Sequence, residues 1–242
     1  MKPFLILQLR PETPVSDDEY QAFLRKGDLS ADHTHRIRLD QQEIPTDLDL
    51  SSYSGVIVGG GPGCISDTPA QKSPQEAQIE AACLALMPEI TEQDIPFLGC
   101  CYGIGILAHH LGSVVSKENH SEPVGAVLCK QETDDPLLAD LPPEFYAFVG
   151  HKEAAQHLPN DCIHLVSSAT CPMQMIRYKQ NVYATQFHPE ADGAGFELRI
   201  QYYKDKGYFA PDDADCLIAM VQAADVFAPE LLLRNFVRRY GA

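Results

Sequence analysis

Pro96-Phe97-Leu98-Gly99-Cys100-Cys101-Tyr102-Gly103-Ile104-Gly105 decides the reading of the fold: a short apolar strand runs into a glycine-flanked cysteine and at once into a helical pattern. Glycines two before and two after Cys101 meet the G-x-[Ser/Cys]-x-G spacing of a nucleophile elbow. So sharp a strand-to-helix turn leaves no room for Cβ atoms beside the nucleophile and holds the thiol up at the top of a sheet. There it sits at a helix N-terminus, where the macrodipole and free N–H groups favour thiolate over thiol. Cys101 is therefore the expected nucleophile. Cys100, its neighbour on an extended strand, points to the opposite face and reads as core.

A thiol nucleophile needs a base. Tyr183-Ala184-Thr185-Gln186-Phe187-His188-Pro189-Glu190 is a β-type run ending in a histidine, with a carboxylate two residues further on. His188 is the expected base, and Glu190 the group that holds the imidazole tautomer by bonding its other nitrogen. Val56-Ile57-Val58-Gly59-Gly60-Gly61-Pro62-Gly63 is a buried-strand run that ends in a glycine cluster, and such a loop offers backbone N–H groups to a developing oxyanion. No lysine with Ser or Thr follows at Walker spacing, which argues against a phosphate-binding loop.

These pieces, in this order, resemble the class I, triad-type glutamine amidotransferase family: a GGP-type oxyanion loop, then G-x-C-x-G, then a terminal H-P-E. The resemblance covers most of the chain. Phe148-Val149-Gly150-His151-Lys152 with Leu158-Pro159 looks like the family's SHGD segment, and Ser167-Ser168 through Cys171–Tyr178 to His188 is similar to the hairpin before the triad histidine in the amidotransferase domains of GMP synthases. The resemblance implies glutamine as substrate, attacked by Cys101 to give a glutamyl thioester and ammonia, with His188 moving the proton and Glu190 orienting it. It further implies an oxyanion site on the glycine loop at Gly60 and Gly61, with the N–H groups of Gly61 and Tyr102 as donors. It implies no cofactor and no metal. Where the family has glutamine four residues after the nucleophile, this chain has Gly105. That glycine leaves space for a larger γ-glutamyl compound, as in the family's γ-glutamyl peptidase members.

A chain of 242 residues can form one large α/β domain, residues 1–242, and has no room for a fused ATP-using synthetase; a synthetase partner is then a separate subunit. The apolar run Pro3-Phe4-Leu5-Ile6-Leu7 is too short for a signal peptide and reads as the first strand. With no long apolar run and no CxxC pair among eight cysteines, the chain reads as cytoplasmic, with neither a membrane span nor a zinc or redox site. A formal net charge of -16 repels phosphate backbones and anionic lipids, which argues against nucleic-acid and membrane partners. His109 and His110 are adjacent on the elbow helix and point about 100° apart, so they do not converge on a metal. His151 reads as a loop-supporting hydrogen bonder.

Strands and helices alternate as in a flavodoxin-like, doubly wound, mostly parallel sheet. Ser16-Asp17-Asp18-Glu19 and Ser73-Pro74-Gln75-Glu76 both have capping-box spacing, the second before an apolar face of Ala77, Ile79, Cys83 and Leu86. His33–Leu39 alternates like a strand, and the elbow helix ends at Gly112. From Ser113 to Val182 short β-like runs suggest an antiparallel extension. A helical C-terminal extension from about 193 to 242 covers the site, makes a homodimer contact or packs on the sheet, and packing is the favoured role. Three functions stay open: a glutamine or γ-glutamyl amide hydrolase, a weakened binding module on the same scaffold, and a redox-sensing elbow cysteine. The intact Cys101, His188 and Glu190 favour the first.

Overall fold

The computed structural model describes residues 2–241. The first half runs β1 (Phe4–Gln8), α1 (Thr13–Gly27), β2 (Thr34–Arg38), β3 (Gly55–Val58), α2 (Pro74–Gln93), β4 (Phe97–Cys100) and α3 (Tyr102–His110). Seven strands follow: β5 (Val115–Ser116), β6 (Glu122–Gln131), β7 (Glu144–His151), β8 (Ala154–Ala155), β9 (Cys162–Ser168), β10 (Met175–Tyr178) and β11 (Val182–Thr185). The chain ends in α4 (Gly193–Tyr203), α5 (Ala214–Ala223) and α6 (Pro229–Tyr240). The main sheet has the order β2-β1-β3-β4-β11-β10-β9-β6-β7, and β5 pairs with β8 apart from it. The strands from β2 to β11 are parallel; the remaining four pair antiparallel. This is the flavodoxin-like doubly wound fold with its antiparallel extension.

The central parallel strands are almost wholly apolar because both faces are covered, whereas the edge strand β2, Thr34-His35-Arg36-Ile37-Arg38, is mostly polar. Along β1, Leu5 and Leu7 join α2 and α3 through Ile79, Cys83, Ile104 and Leu107, whereas Phe4 and Ile6 join α1 and α6 through Phe23, Leu232 and Phe236. The Phe4 and Phe236 rings lie 6.0 Å apart, and burying such a side chain contributes about 1.5–3 kcal/mol. Helices α4 and α5 instead close over β6 and β7 in a third cluster that includes Val124, Phe148, Phe196, Ile200 and Val221.

Local signals set most boundaries. Ser73 and Glu76 form a reciprocal capping box at the start of α2, with Ser73 N–H on Glu76 at 2.8 Å and Glu76 N–H on Ser73 Oγ at 3.2 Å. The box expected at Ser16 does not form. Helix α1 starts earlier, behind Glu12 with Pro14 in its first turn, so Ser16 lies inside the helix, buried, and accepts from Arg36 at 3.2 Å. Pro14 is pre-set for a first helical turn, and that outweighs the capping-box spacing. Among the described residues, no helix is long and apolar enough to cross a membrane.

Candidate active site

Three loops leave the same end of three adjacent parallel strands. The glycine loop follows β3, Cys101 follows β4, and His188 stands three residues beyond β11; Val58 pairs with Gly99, and Cys100 with Thr185. Ligand sites in open α/β sheets lie at these carboxyl ends.

Cys101 has φ 54° and ψ -90°, a backbone that non-glycine residues seldom adopt. Its N–H donates to Thr185 O at 2.7 Å, which locks the turn to the neighbouring strand. The flanking glycines differ in what they supply. A Cβ on Gly99 would lie 2.8 Å from the Gly103 carbonyl carbon, whereas one on Gly103 would meet Val58 at an ordinary 3.6 Å. Gly99→Ala is therefore expected to disrupt the elbow and remove Cys101 reactivity, and Gly103→Ala to leave most of it, both read by mapping the adduct of a glutamine-analogue electrophile on the folded variants.

His188 and Glu190 are buried, and His188 Nδ1 lies 2.8 Å from Glu190 Oε1. Arg199, from α4, donates Nη2 to the same oxygen at 2.9 Å. Burial alone would push the Glu190 carboxyl up, but His188 and Arg199 outweigh it and hold it well below the usual carboxylate range. Burial lowers His188, and the arginines add to this against the pull of Glu190, so the neutral imidazole is the resting form. Cys101 departs from the thiolate expected of a helix N-terminus. Burial pushes its thiol up to about 12, which Arg10 offsets only in part, so the resting group is protonated. Cys100, on the other face, lies fully buried in the core cluster of Phe4 and Leu98.

The glycine loop also departs from expectation at Gly60. Its N–H donates to Glu19 Oε1 at 3.2 Å and is not free for an oxyanion. Gly60 serves a close approach instead: a Cβ there would lie 2.5 Å from Arg10 Nη2 and 2.7 Å from His188 Cε1. Among the described residues Gly61 N–H has no acceptor, and Tyr102 opens α3, so its N–H has none within the helix.

Cys101 stands between two cavities that share Gly61, Gly150 and Tyr208. The first is lined by Tyr102, Gly105, His151, Lys152, Glu153 and Gln186. The space left by Gly105 is bounded by Ile65 and Glu153, 3.6 and 3.7 Å from where its Cβ would be. Glu153 accepts from Ile65 N–H at 2.7 Å and Ser66 N–H at 2.9 Å, tying this wall to the loop after β3. Behind the wall His151 bonds the Glu153 carbonyl through Nδ1 at 2.9 Å and Glu122 through Nε2 at 2.8 Å, the loop-supporting role expected of it. Glu122, His151 and Cys171 bring donor atoms within 4.8 Å of one another. Both Glu122 oxygens are already filled, by His151, Gln174, Ser168 and Thr170, so the cluster is a hydrogen-bonded strut. Burial would raise Glu122; these donors outweigh it and lower it.

The second cavity lies on the His188 side and is lined by Arg10, Phe196, Arg199, Ile200 and Tyr203. Over both stands Tyr208, whose hydroxyl donates to Pro62 O at 3.3 Å and whose ring lies 4.5 Å from Lys152 Nζ. The C-terminal extension thus covers the site through α4 and Tyr208, while α6 packs against α1. Arg10 and Arg199 carry no sequence motif, and Glu19 carries only the spacing of the capping box that does not form. The one available signal was the stripe Phe196, Ile200, Tyr203 at helical spacing with Arg199 set into it.

The fold and site define a class, and the glutamine amidotransferase class-I family model matches residues 26–201: the chain belongs to that family. Among its relatives is the glutamine-hydrolyzing GMP synthase of Thermosipho africanus, 33% identical over 148 residues, which are 61% of this chain and 26% of that protein. The GMP synthase of Geobacillus kaustophilus is 30% identical over 165 residues, 68% of this chain and 28% of the relative. The chain thus matches about a quarter of the length of these enzymes. Of solved structures, a glutamine amidotransferase from Thermotoga maritima has a TM-score of 0.75 at 21% identity, covering 99% of this chain and 98% of its own. A protein from Thermoplasma acidophilum described as one subunit of a GMP synthase has a TM-score of 0.64 at 21% identity, covering 100% and 96%.

Proposed function

We propose that the chain hydrolyses the side-chain amide of glutamine, or a larger γ-glutamyl amide, through a thioester on Cys101. The carrying observation is the meeting of Cys101 and the Glu190-bonded His188 at one cavity, beside two N–H groups, of Gly61 and Tyr102, aimed at no protein acceptor.

The resting thiol and neutral imidazole assign the order of events. With Glu190 accepting from Nδ1–H, His188 keeps the Nε2 lone pair for the thiol proton as Sγ bonds to the amide carbon. The carbonyl oxygen takes up the negative charge between the N–H groups of Gly61 and Tyr102, each such donor being worth about 3 kcal/mol. His188 then protonates the nitrogen, the C–N bond breaks, and ammonia or an amine leaves. Water, deprotonated by His188, attacks the thioester and releases Sγ and glutamate. Gly105 favours the larger γ-glutamyl amide as a second reading. For glutamine itself, the relatives named glutamine-hydrolyzing GMP synthase point to a synthetase as the receiver of the ammonia.

The active form needs neutral His188, and burial lowers its proton affinity. The acidic limb of kcat/KM is therefore expected below pH 6.5, the ordinary imidazole value, with activity lost only as pH falls through that lower midpoint. A limb at or above 6.5 contradicts the assignment. The direct test is intact mass after incubation with 6-diazo-5-oxo-norleucine, the adduct mapped by digestion, with glutamine and γ-glutamyl peptides as competitors. An adduct on Cys101 that one competitor prevents supports the reading; no adduct leaves the binding-module alternative.

A further inference from the structure

The cavity on the His188 side measures about 30 Å³, room for roughly two waters or a group the size of a carboxylate. Phe196, Ile200 and Tyr203 make its walls, and two arginines reach it. Arg10, 4% exposed, donates Nε to Glu19 at 2.8 Å and Nη1 to Tyr203 at 3.3 Å, and among the described residues its Nη2 has no acceptor. Arg199, 5% exposed, donates Nη2 to Glu190 and leaves Nε and Nη1 without acceptors. Glu190 Oε2 is also without a partner, so a two-pronged pairing with it would occupy one of those nitrogens and still leave the other. Buried guanidinium N–H groups are costly to leave unpaired. Glu19 and Glu190 balance the two positive charges, so the cavity presents a donor more than a net field: that donor is Arg10 Nη2, since the unpaired Arg199 nitrogens are sealed from the cavity space. A carboxylate oxygen is the acceptor that fits such a guanidinium donor.

The side of the cavity relative to Cys101 says which part of a substrate brings that group. The base must reach the departing nitrogen, so the leaving group lies on the His188 side and the γ-glutamyl group on the Gly105 side. We propose that the His188-side cavity is a subsite for the carboxylate of the leaving amine, and that the substrate is a γ-glutamyl-linked amino acid with a small side chain. This rests on the reading of Cys101 and His188 given above. The C–N bond breaks as its nitrogen takes the proton that His188 received from the thiol. The free amino acid departs from Arg10 while the acyl group stays on Sγ for hydrolysis to glutamate.

The test compares kcat/KM for γ-glutamyl-glycine, γ-glutamyl-glycinamide and γ-glutamyl-isobutylamide, the last an uncharged shape mimic of the first. The glycine compound is expected to lead both others by about 10- to 100-fold, the range of a charged hydrogen bond. In Arg10→Met that lead should shrink toward one. Equal rates for the three compounds in the unaltered protein overturn the subsite, and so does a lead that survives Arg10→Met. The unaltered protein's ratio decides the matter even where the variant does not fold. Labelling of Cys101 by 6-diazo-5-oxo-norleucine separates the two levels: labelling with equal rates sinks the subsite alone, and no labelling with no turnover sinks the nucleophile reading beneath it.

Discussion

Cys101→Ala is expected to abolish turnover, a loss of about a millionfold, the scale on which nucleophile and base fail as a unit. Cys100→Ala is expected to leave most of it. The two residues are neighbours in sequence, yet Cys101 lines both cavities and Cys100 is sealed in the core on the other face of β4. Trimming Cys100 removes one buried sulfur, a stability cost of about 1 kcal/mol with no effect on the chemistry. Steady-state rates with adduct mapping check the pair, and the reverse outcome would move the elbow by one residue and break the assignment.

His188→Ala is expected to lose four or more orders of magnitude, because the resting thiol at about 12 needs a base to attack at neutral pH. Glu190→Gln should lose less, since the imidazole stays in place but its tautomer is no longer held. Adding His188→Ala to Cys101→Ala should cost almost nothing further, which single-turnover rates on the three variants will read. A His188→Ala enzyme within tenfold of the unaltered rate would remove His188 as the base.

What could be read from the chain followed from how local each signal is. The elbow, the glycine loop and the capping box at Ser73 are short-range patterns, and each stands where its residues indicate. The Ser16 box failed because Pro14, two residues earlier, had already begun the helix. The thiolate expectation failed because it weighed the helix terminus at Cys101 without the burial that α4 and Tyr208 impose. Arg10 was invisible for a related reason: its partners Glu19 and Tyr203 lie 9 and 193 residues away. The Glu122–His151 strut spans 29 residues and likewise needed the paired strands β6 and β7 to be seen. Gly60 shows the converse case: its N–H, expected to face an oxyanion, is taken by Glu19, and its missing side chain makes room for Arg10 and His188.

A buried thiol kept protonated at rest is also a poor target for indiscriminate reagents. Peroxide and simple alkylators react with thiolates, and little thiolate is present at neutral pH when the thiol sits near 12. Oxidative stress should therefore spare Cys101 while the exposed Cys216 is lost first. An inhibitor that works by reactivity alone will react elsewhere on the protein, and one that works at Cys101 has to be held there by the two cavities.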